Sequence, residues 1–163
     1  MTARTSWADI AEREEAEDYP AAIAALEHLL EEDPENTEAV VRLGFNYWLA
    51  IAETDRLRLQ VPVKQYAKRF AELLEQYEAS LGAQADFCWA FGLPLMLHYY
   101  YFADDGTDAS ELNNLRSIGE RLLYRAAGLD RFYATLRDGA ATQEELARRF
   151  RGRGSLARYY GVV

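Results

Sequence analysis

The sequence predicts an all-α chain, in which about six to eight helices pair into antiparallel hairpins and stack irregularly as one domain over residues 1–163. Three observations predict this. Apolar residues recur every three or four positions through most of the chain, which is the period of a helix and not of a strand. Pro20, Pro34, Pro62 and Gly82 fall at the ends of these segments, where helices start and stop. A hydrophobic content of 50% with 13% aromatic residues is enough to bury a core at this length, which excludes wholesale disorder.

Taken in order, a leading helix is expected at 6–17. In 20–32, Ala22, Ile23, Leu26, Leu29 and Leu30 share one face and Glu27, Glu31 and Glu32 the other, with Pro20 in the first turn and Pro34 as the stop. The next helix, expected over 37–59, starts at Asn36 or Thr37 and carries two apolar faces: Val40, Leu43, Tyr47 and Ile51 on one, Val41, Phe45, Trp48 and Ala52 on the other. Such a helix is covered on both sides, or one side waits for a partner. Residues 62–81 repeat the pattern through Tyr66, Phe70, Leu73, Tyr77 and Leu81, closed by Gly82. The very apolar segment 84–102 reads as the central helix, kinked or split at Gly92-Leu93-Pro94. Asp104-Asp105-Gly106-Thr107-Asp108 is a loop, and Asp108 or Ser110 starts a helix whose stripe runs from Leu112 to Ala126. A short helix at Phe132–Leu136, a break at Gly139, a capping-box start at Thr142 with Glu145, and a basic C-terminal tail over 150–163 complete the chain.

Residues 18–47 carry a resemblance to a known family. Asp18, Tyr19, Ala22, Leu26, Leu30, Asp33 and Pro34, followed by Leu43, Gly44 and Tyr47, resemble the second helix of one tetratricopeptide repeat and the first helix of the next. A degraded copy stands at Gly119, Leu123, Ala126, Leu129 and Asp130, with Arg131 where the proline of the pattern belongs. The spacing departs from the family after Tyr47, where about eleven extra residues precede the helix at 62–81, and the leading helix lacks the Leu-Gly pair. The resemblance implies about three degenerate hairpins, a groove and protein–protein binding. In such a groove, helix 37–59 would offer Glu38, Val41, Phe45, Trp48 and Leu49, none of them basic, so a clamp for acidic carboxy-termini is not expected.

Charge sharpens the expectation about partners. The net charge is −9, and residues 1–38 hold twelve acids against Arg4 and Arg13, while residues 142–163 hold five arginines against Glu144 and Glu145. A dense acidic end repels nucleic acid and anionic lipid and speeds encounter with basic proteins. A solvated, solubilising face is the plain alternative. Glu31, Glu32, Glu35, Glu38, Val41, Phe45, Trp48 and Leu49 are therefore the expected partner-binding residues. No nucleic-acid or membrane partner is expected, and the chain is read as a monomer or weak homodimer. The start Met-Thr-Ala-Arg-Thr-Ser-Trp lacks a secretory pattern, and a single cysteine, Cys88, cannot form an internal disulfide, so the cytoplasm is the expected compartment.

Catalytic chemistry finds little to work with. His28 falls on the solvent side of its helix and His98 in an apolar run, both read as structural. Cys88 lies among Phe87, Trp89 and Phe91, where a buried thiol is expected. One cysteine and two distant histidines build no zinc site, and the loop at Asp104–Asp108 lacks the alternating donors and distal Glu of a calcium loop. Adjacent acids such as Glu14 and Glu15 are expected to face water. Tyr99-Tyr100-Tyr101-Phe102 reads as core more readily than as a binding platform, and Arg151-Gly152-Arg153-Gly154 either resembles a nucleic-acid-binding segment or ends a helix before a docked Leu156, Tyr159 and Tyr160. An enzyme would need a pocket, for example around Glu53, Asp55 and Tyr66. With no catalytic residue, cofactor or metal expected, the chain looks similar to bacterial immunity proteins that occlude a basic cognate toxin domain. An adaptor or chaperone-like scaffold is the alternative.

Overall fold

Six of the helix starts are fixed by side-chain caps, and these divide the chain. The computed structural model describes residues 6–162, and the cap residues are Ser6, Asp18, Asn36, Asp108, Asp130 and Thr142, each accepting from a backbone N–H in the first turn. Ser6 with Asp9 and Thr142 with Glu145 close reciprocal capping boxes. The helices are α1 (Trp7–Glu15), α2 (Tyr19–Glu32), α3 (Thr37–Ala52), α4 (Thr54–Leu57), α5 (Val63–Leu81), α6 (Ala85–His98), α7 (Ala109–Leu129), α8 (Arg131–Arg137), α9 (Gln143–Phe150) and α10 (Ser155–Tyr159), with a 3-10 turn at Tyr99–Phe102. No strand occurs among the described residues.

The long helices form two layers. Glu27 of α2 accepts from the Tyr47 hydroxyl of α3 at 2.5 Å, and Tyr66 of α5 packs on Tyr47 at 5.4 Å between ring centres. The Tyr77 hydroxyl of α5 donates to the Pro34 carbonyl, at the far end of α3, so α5 runs antiparallel to α3. Gly44 of α3 meets Phe91 of α6, and one turn further on Trp48 meets His98, so α3 and α6 lie side by side in the same direction. Gly92 of α6 and Gly119 of α7 bring two backbones together: a Cβ at Gly119 would lie 2.5 Å from the Met96 nitrogen. The pairs α1/α2, α3/α5 and α6/α7 thus place α1, α3 and α6 on an inner face and α2, α5 and α7 behind them. Glu78 of α5 bridges to Arg121 and Arg125 of α7 across that outer layer.

Several expectations change. The central helix is α3, not 84–102: every residue from Ala39 to Ile51 is buried, because α2 and α5 cover one side while α6 and α10 cover the other. It ends at Ala52, and α4 follows as a separate turn, so the expected helix over 37–59 is split. Segment 84–102 does not break at Pro94. Burial of residues Phe87–Leu95 on all sides holds α6 continuous through the proline to His98, and the chain tightens into the 3-10 turn beyond it. Tyr99–Phe102 is half-buried rather than core, with Tyr100 52% exposed. The tail is no tail: after α9 the chain turns at Gly152 and Gly154, both at positive φ, and docks α10 on the inner face.

Three glycines of these helices should respond differently to a side chain, as thermal melts would show. Gly44→Leu meets the Phe91 ring, whose Cε1 would lie 2.9 Å from the new Cβ, and should cost roughly 1–3 kcal/mol. Gly119→Leu meets backbone, which yields less than a ring, and should cost more than Gly44→Leu. Gly128→Ala faces open space inside α7 and should stabilise by up to about 1 kcal/mol.

Candidate functional site

The inner face is built around a buried ion pair. Glu14 at the end of α1 is fully buried and Arg42 of α3 is 3% exposed, and the guanidinium grips the carboxylate through both Nε and Nη2. Asn46, one turn on, donates to the same carboxylate at 2.6 Å and accepts from the Ser155 hydroxyl at 2.7 Å. Gly154 fits over the pair because it has no Cβ: one placed there would overlap Glu14 and approach the Arg42 Nη2 to 2.6 Å. Trp7 covers the outer side of the guanidinium, 4.8 Å from ring centre to Cζ. Burial pushes the Glu14 carboxyl up, against the pull of Arg42, Asn46 and the Ser155 backbone, and the balance lies above the ordinary value. Glu14 is therefore not on a wetted face, as the sequence suggested. Its place one helical turn after Ile10, which is also buried, puts it on the packed side of α1.

Around this pair the segment 150–162 is fastened at both ends. Arg153 donates to Glu38 through Nε at 2.9 Å and Nη2 at 2.6 Å, and its Nη1 lies 2.9 Å from Asp86 at the start of α6. Leu156 and Ala157 are buried, and the Tyr159 ring packs on Phe45 and Trp48 with ring centres 5.5 and 5.3 Å apart. Tyr160 stacks on Phe150 at 4.5 Å and accepts from the Trp89 indole at 2.6 Å. Arg158 pairs with Glu17 and donates to the Glu15 carbonyl.

The predicted binding residues therefore divide. Val41, Phe45, Trp48 and Leu49 are all buried, Phe45 and Trp48 beneath this protein's own Tyr159, while Glu38, paired to Arg153, and Val41 line a cleft of about 320 Å³ together with Asp86, Asp130 and Arg149. Glu31, Glu32 and Glu35 stay exposed at the α2 end of the molecule. Another open groove lies on the other side of α3, between α2 and α5, with a volume of about 360 Å³. Leu43 and Tyr47 lie at its α3 side, Leu30, Pro34, Leu73 and Tyr77 add apolar wall, and Glu27, Glu31 and Glu72 outnumber Arg69 among its charges. Sequence reasoning placed Leu43 and Tyr47 on one apolar face of α3 and the expected partner on the other, whose Phe45 and Trp48 this protein's own Tyr159 covers.

The remaining candidates are engaged. His28 is exposed beside Glu31 and Glu32. His98 accepts from the Trp48 indole through Nδ1 at 2.9 Å, which places its proton on Nε2, and burial holds its pKa below the usual histidine value. The Cys88 thiol is buried, donates to the Gly82 carbonyl and is pushed up by burial. Glu53 pairs with Arg56, and Tyr66 packs on Tyr47. A cleft of about 620 Å³ between α8 and α9 is lined by Arg131, Arg148 and Arg149, but Arg148 is paired to Glu144 and Arg149 to Asp86 and Asp130. Among the described residues no group of three or more His, Cys, Asp or Glu could hold a metal ion, and no helix is long and apolar enough to cross a membrane. No protein-family model matches the chain, and neither a curated protein nor a solved structure matches it significantly.

Asp86 should contribute to the acid limb of stability. It accepts from Tyr133 at 2.6 Å and Arg149 at 2.7 Å and faces Arg153. Burial pushes its carboxyl up, but Arg153, the Tyr133 hydroxyl and Arg149 outweigh it, so the folded value lies below the ordinary 3.8. A lowered carboxylate stabilises the fold above pH 3.8 and loses that contribution as pH falls through the folded value. Asp86→Asn should cost roughly 1–3 kcal/mol at neutral pH, and its denaturant midpoint should fall less steeply than wild type on acidification below pH 4.

Proposed function

We propose that this protein is a non-enzymatic docking protein that captures a basic segment of another protein in the open groove between α2 and α5. The observation that carries the reading is the composition of that groove: walls from Leu30, Pro34 and Tyr77 over a largely buried floor of Leu43 and Leu73, edged by Glu27, Glu31 and Glu72. Apolar anchors supply affinity while like charges along an edge steer an oppositely charged partner and set its orientation. The groove is open along α2 and α5, the shape in which an amphipathic basic helix lays its apolar stripe. The exposed Glu31, Glu32 and Glu35 extend the same negative field beyond the groove.

The non-enzymatic reading rests on the titratable side chains. His98, Cys88 and Glu14 are each tied to structural partners, leaving no activated nucleophile beside a free base among them. The resemblance of residues 18–47 to tetratricopeptide repeats agrees with a docking role. An immunity protein that covers a basic toxin domain is the form of this activity that the acidic charge favours, and a scaffold adaptor would use the same groove.

A photo-crosslinking residue at Gln76, which lines the groove, should capture a Lys/Arg-rich protein segment from the native host. Glu31→Lys with Glu72→Lys should leave the melting temperature within a degree or two and weaken capture by about tenfold or more, since each rim pair contributes roughly 0.2–1 kcal/mol and reversal adds repulsion. Undiminished capture by the double variant would remove the groove from the reading.

A further inference from the structure

We propose that the cleft between α8 and α9 is a binding site for a small organic anion, with a carboxylate or phosphate head between Arg131 and Arg148 and a planar apolar body against Phe132. The cleft shares no residue with the α2/α5 groove, so the proposal stands apart from the docking reading.

Size and charge both suit such a ligand. At about 620 Å³ the cleft is larger than the α2/α5 groove, at about 360 Å³, and falls in the range of roughly 300–1,000 Å³ typical of small-molecule sites. Its lining runs against the charge of the whole chain: Arg131, Arg148 and Arg149 face one acid, Glu145, in a protein of net charge −9. That acid is turned onto its own helix, where its carboxylate accepts from the Thr142 backbone N–H at 2.8 Å and from the Thr142 hydroxyl at 3.1 Å. These two bonds, then Arg148 and Arg131, hold the Glu145 carboxyl below its ordinary value, so both guanidinium fields converge on this part of the cleft. A negative field around a local cluster of guanidinium groups disfavours nucleic acid and other long polyanions and leaves compact anions as the species the cleft can hold.

The three arginines differ in how far the fold has committed them. Arg149 is fixed: Asp86 and Asp130 each hold its Nη2 at 2.7 Å, and its guanidinium lies 5.4 Å from the Phe132 ring centre. Yet its Nε is the one buried side-chain nitrogen or oxygen among the described residues that meets no hydrogen-bond partner, so this wall of the cleft is an acceptor short. Arg148 pairs with Glu144 across a contact whose side chains are 72% and 84% exposed, which an incoming oxyanion displaces at little cost. Arg131 is exposed and forms no ion pair with a described carboxylate. The fold does not call for its charge either, since a cation at the first position of α8 opposes the helix dipole. Guanidinium forks match carboxylate and phosphate oxygens in pairs, and half-buried Phe132 with Ala140 gives the rest of the ligand an apolar face.

Phenyl phosphate and benzoate, titrated separately into the full chain by calorimetry, test the site. At least one should saturate with a dissociation constant of about 1 mM or tighter and bind about tenfold or more tighter than inorganic phosphate or acetate, its bare head group; the tighter of the two identifies the head that the site prefers. Arg131→Gln should weaken that binding about tenfold or more while melting within about two degrees of wild type. Arg116→Gln, the same charge change on the exposed side of α7, should bind as wild type does. On the unaltered chain, the Nε–H resonances of Arg131 and Arg149 should move in step with occupancy. No saturation by either compound up to about 10 mM, equal binding of the bare head group, equal weakening by both variants, or saturation with neither arginine resonance moving would overturn the proposal.

Discussion

The pair between Glu14 and Arg42 is the constraint on which the rest of the structure depends. Two charges taken out of water are tolerable only when every remaining donor and acceptor is met, and here the partners come from three separate parts of the chain. Glu14 brings α1, Arg42 and Asn46 bring α3, and the backbone and hydroxyl of Ser155 bring the last helix. Gly154 is the one residue type that lets the chain approach closely enough, and its positive φ sets the direction in which α10 leaves. The first and last described helices thus meet the middle of the protein at this polar contact, alongside the Arg153 and Arg158 ion pairs and the buried Leu156 and Ala157, while the apolar layers between α3, α5, α6 and α7 hold the rest of the core.

This arrangement distributes charge in a way composition does not reveal. The acidic N-terminal region and the arginine-rich C-terminal region meet: Glu17, Glu38 and Asp86 are spoken for by Arg153 and Arg158. Among the acids without an arginine or lysine partner are Glu31, Glu32 and Glu35 at the outer edge of α2, next to a groove with acids at its rim.

Much of the candidate site was half legible. The two apolar faces on α3 follow from spacing, and both exist: Leu43 and Tyr47 on one, Phe45 and Trp48 on the other. Which one stays open was not readable, because the segment that covers Phe45 and Trp48 lies more than a hundred positions away and reads as a charged tail. A signal was present in the polar pair Arg42 and Asn46, one helical turn apart on an otherwise apolar helix, since buried polar groups at that spacing demand a partner. Glu14, one turn from Ile10, was the matching half. Its neighbour Glu15 is exposed, and adjacency in sequence concealed that the two point to different sides.

By itself the sequence determined the all-helical class, narrowed two caps to Asn36 or Thr37 and to Asp108 or Ser110, and gave the cap at Thr142, the close helix approach at Gly44 and the buried thiol of Cys88, because each follows from local periodicity, backbone stereochemistry or the polarity of near neighbours. Only the tertiary structure decided that α3 rather than α6 is central, that Pro94 leaves α6 continuous, and that the last helix fills the inner face. Those outcomes depend on contacts between residues far apart in the chain, where long-range packing and the pairing of buried charges override what any short window of residues prefers.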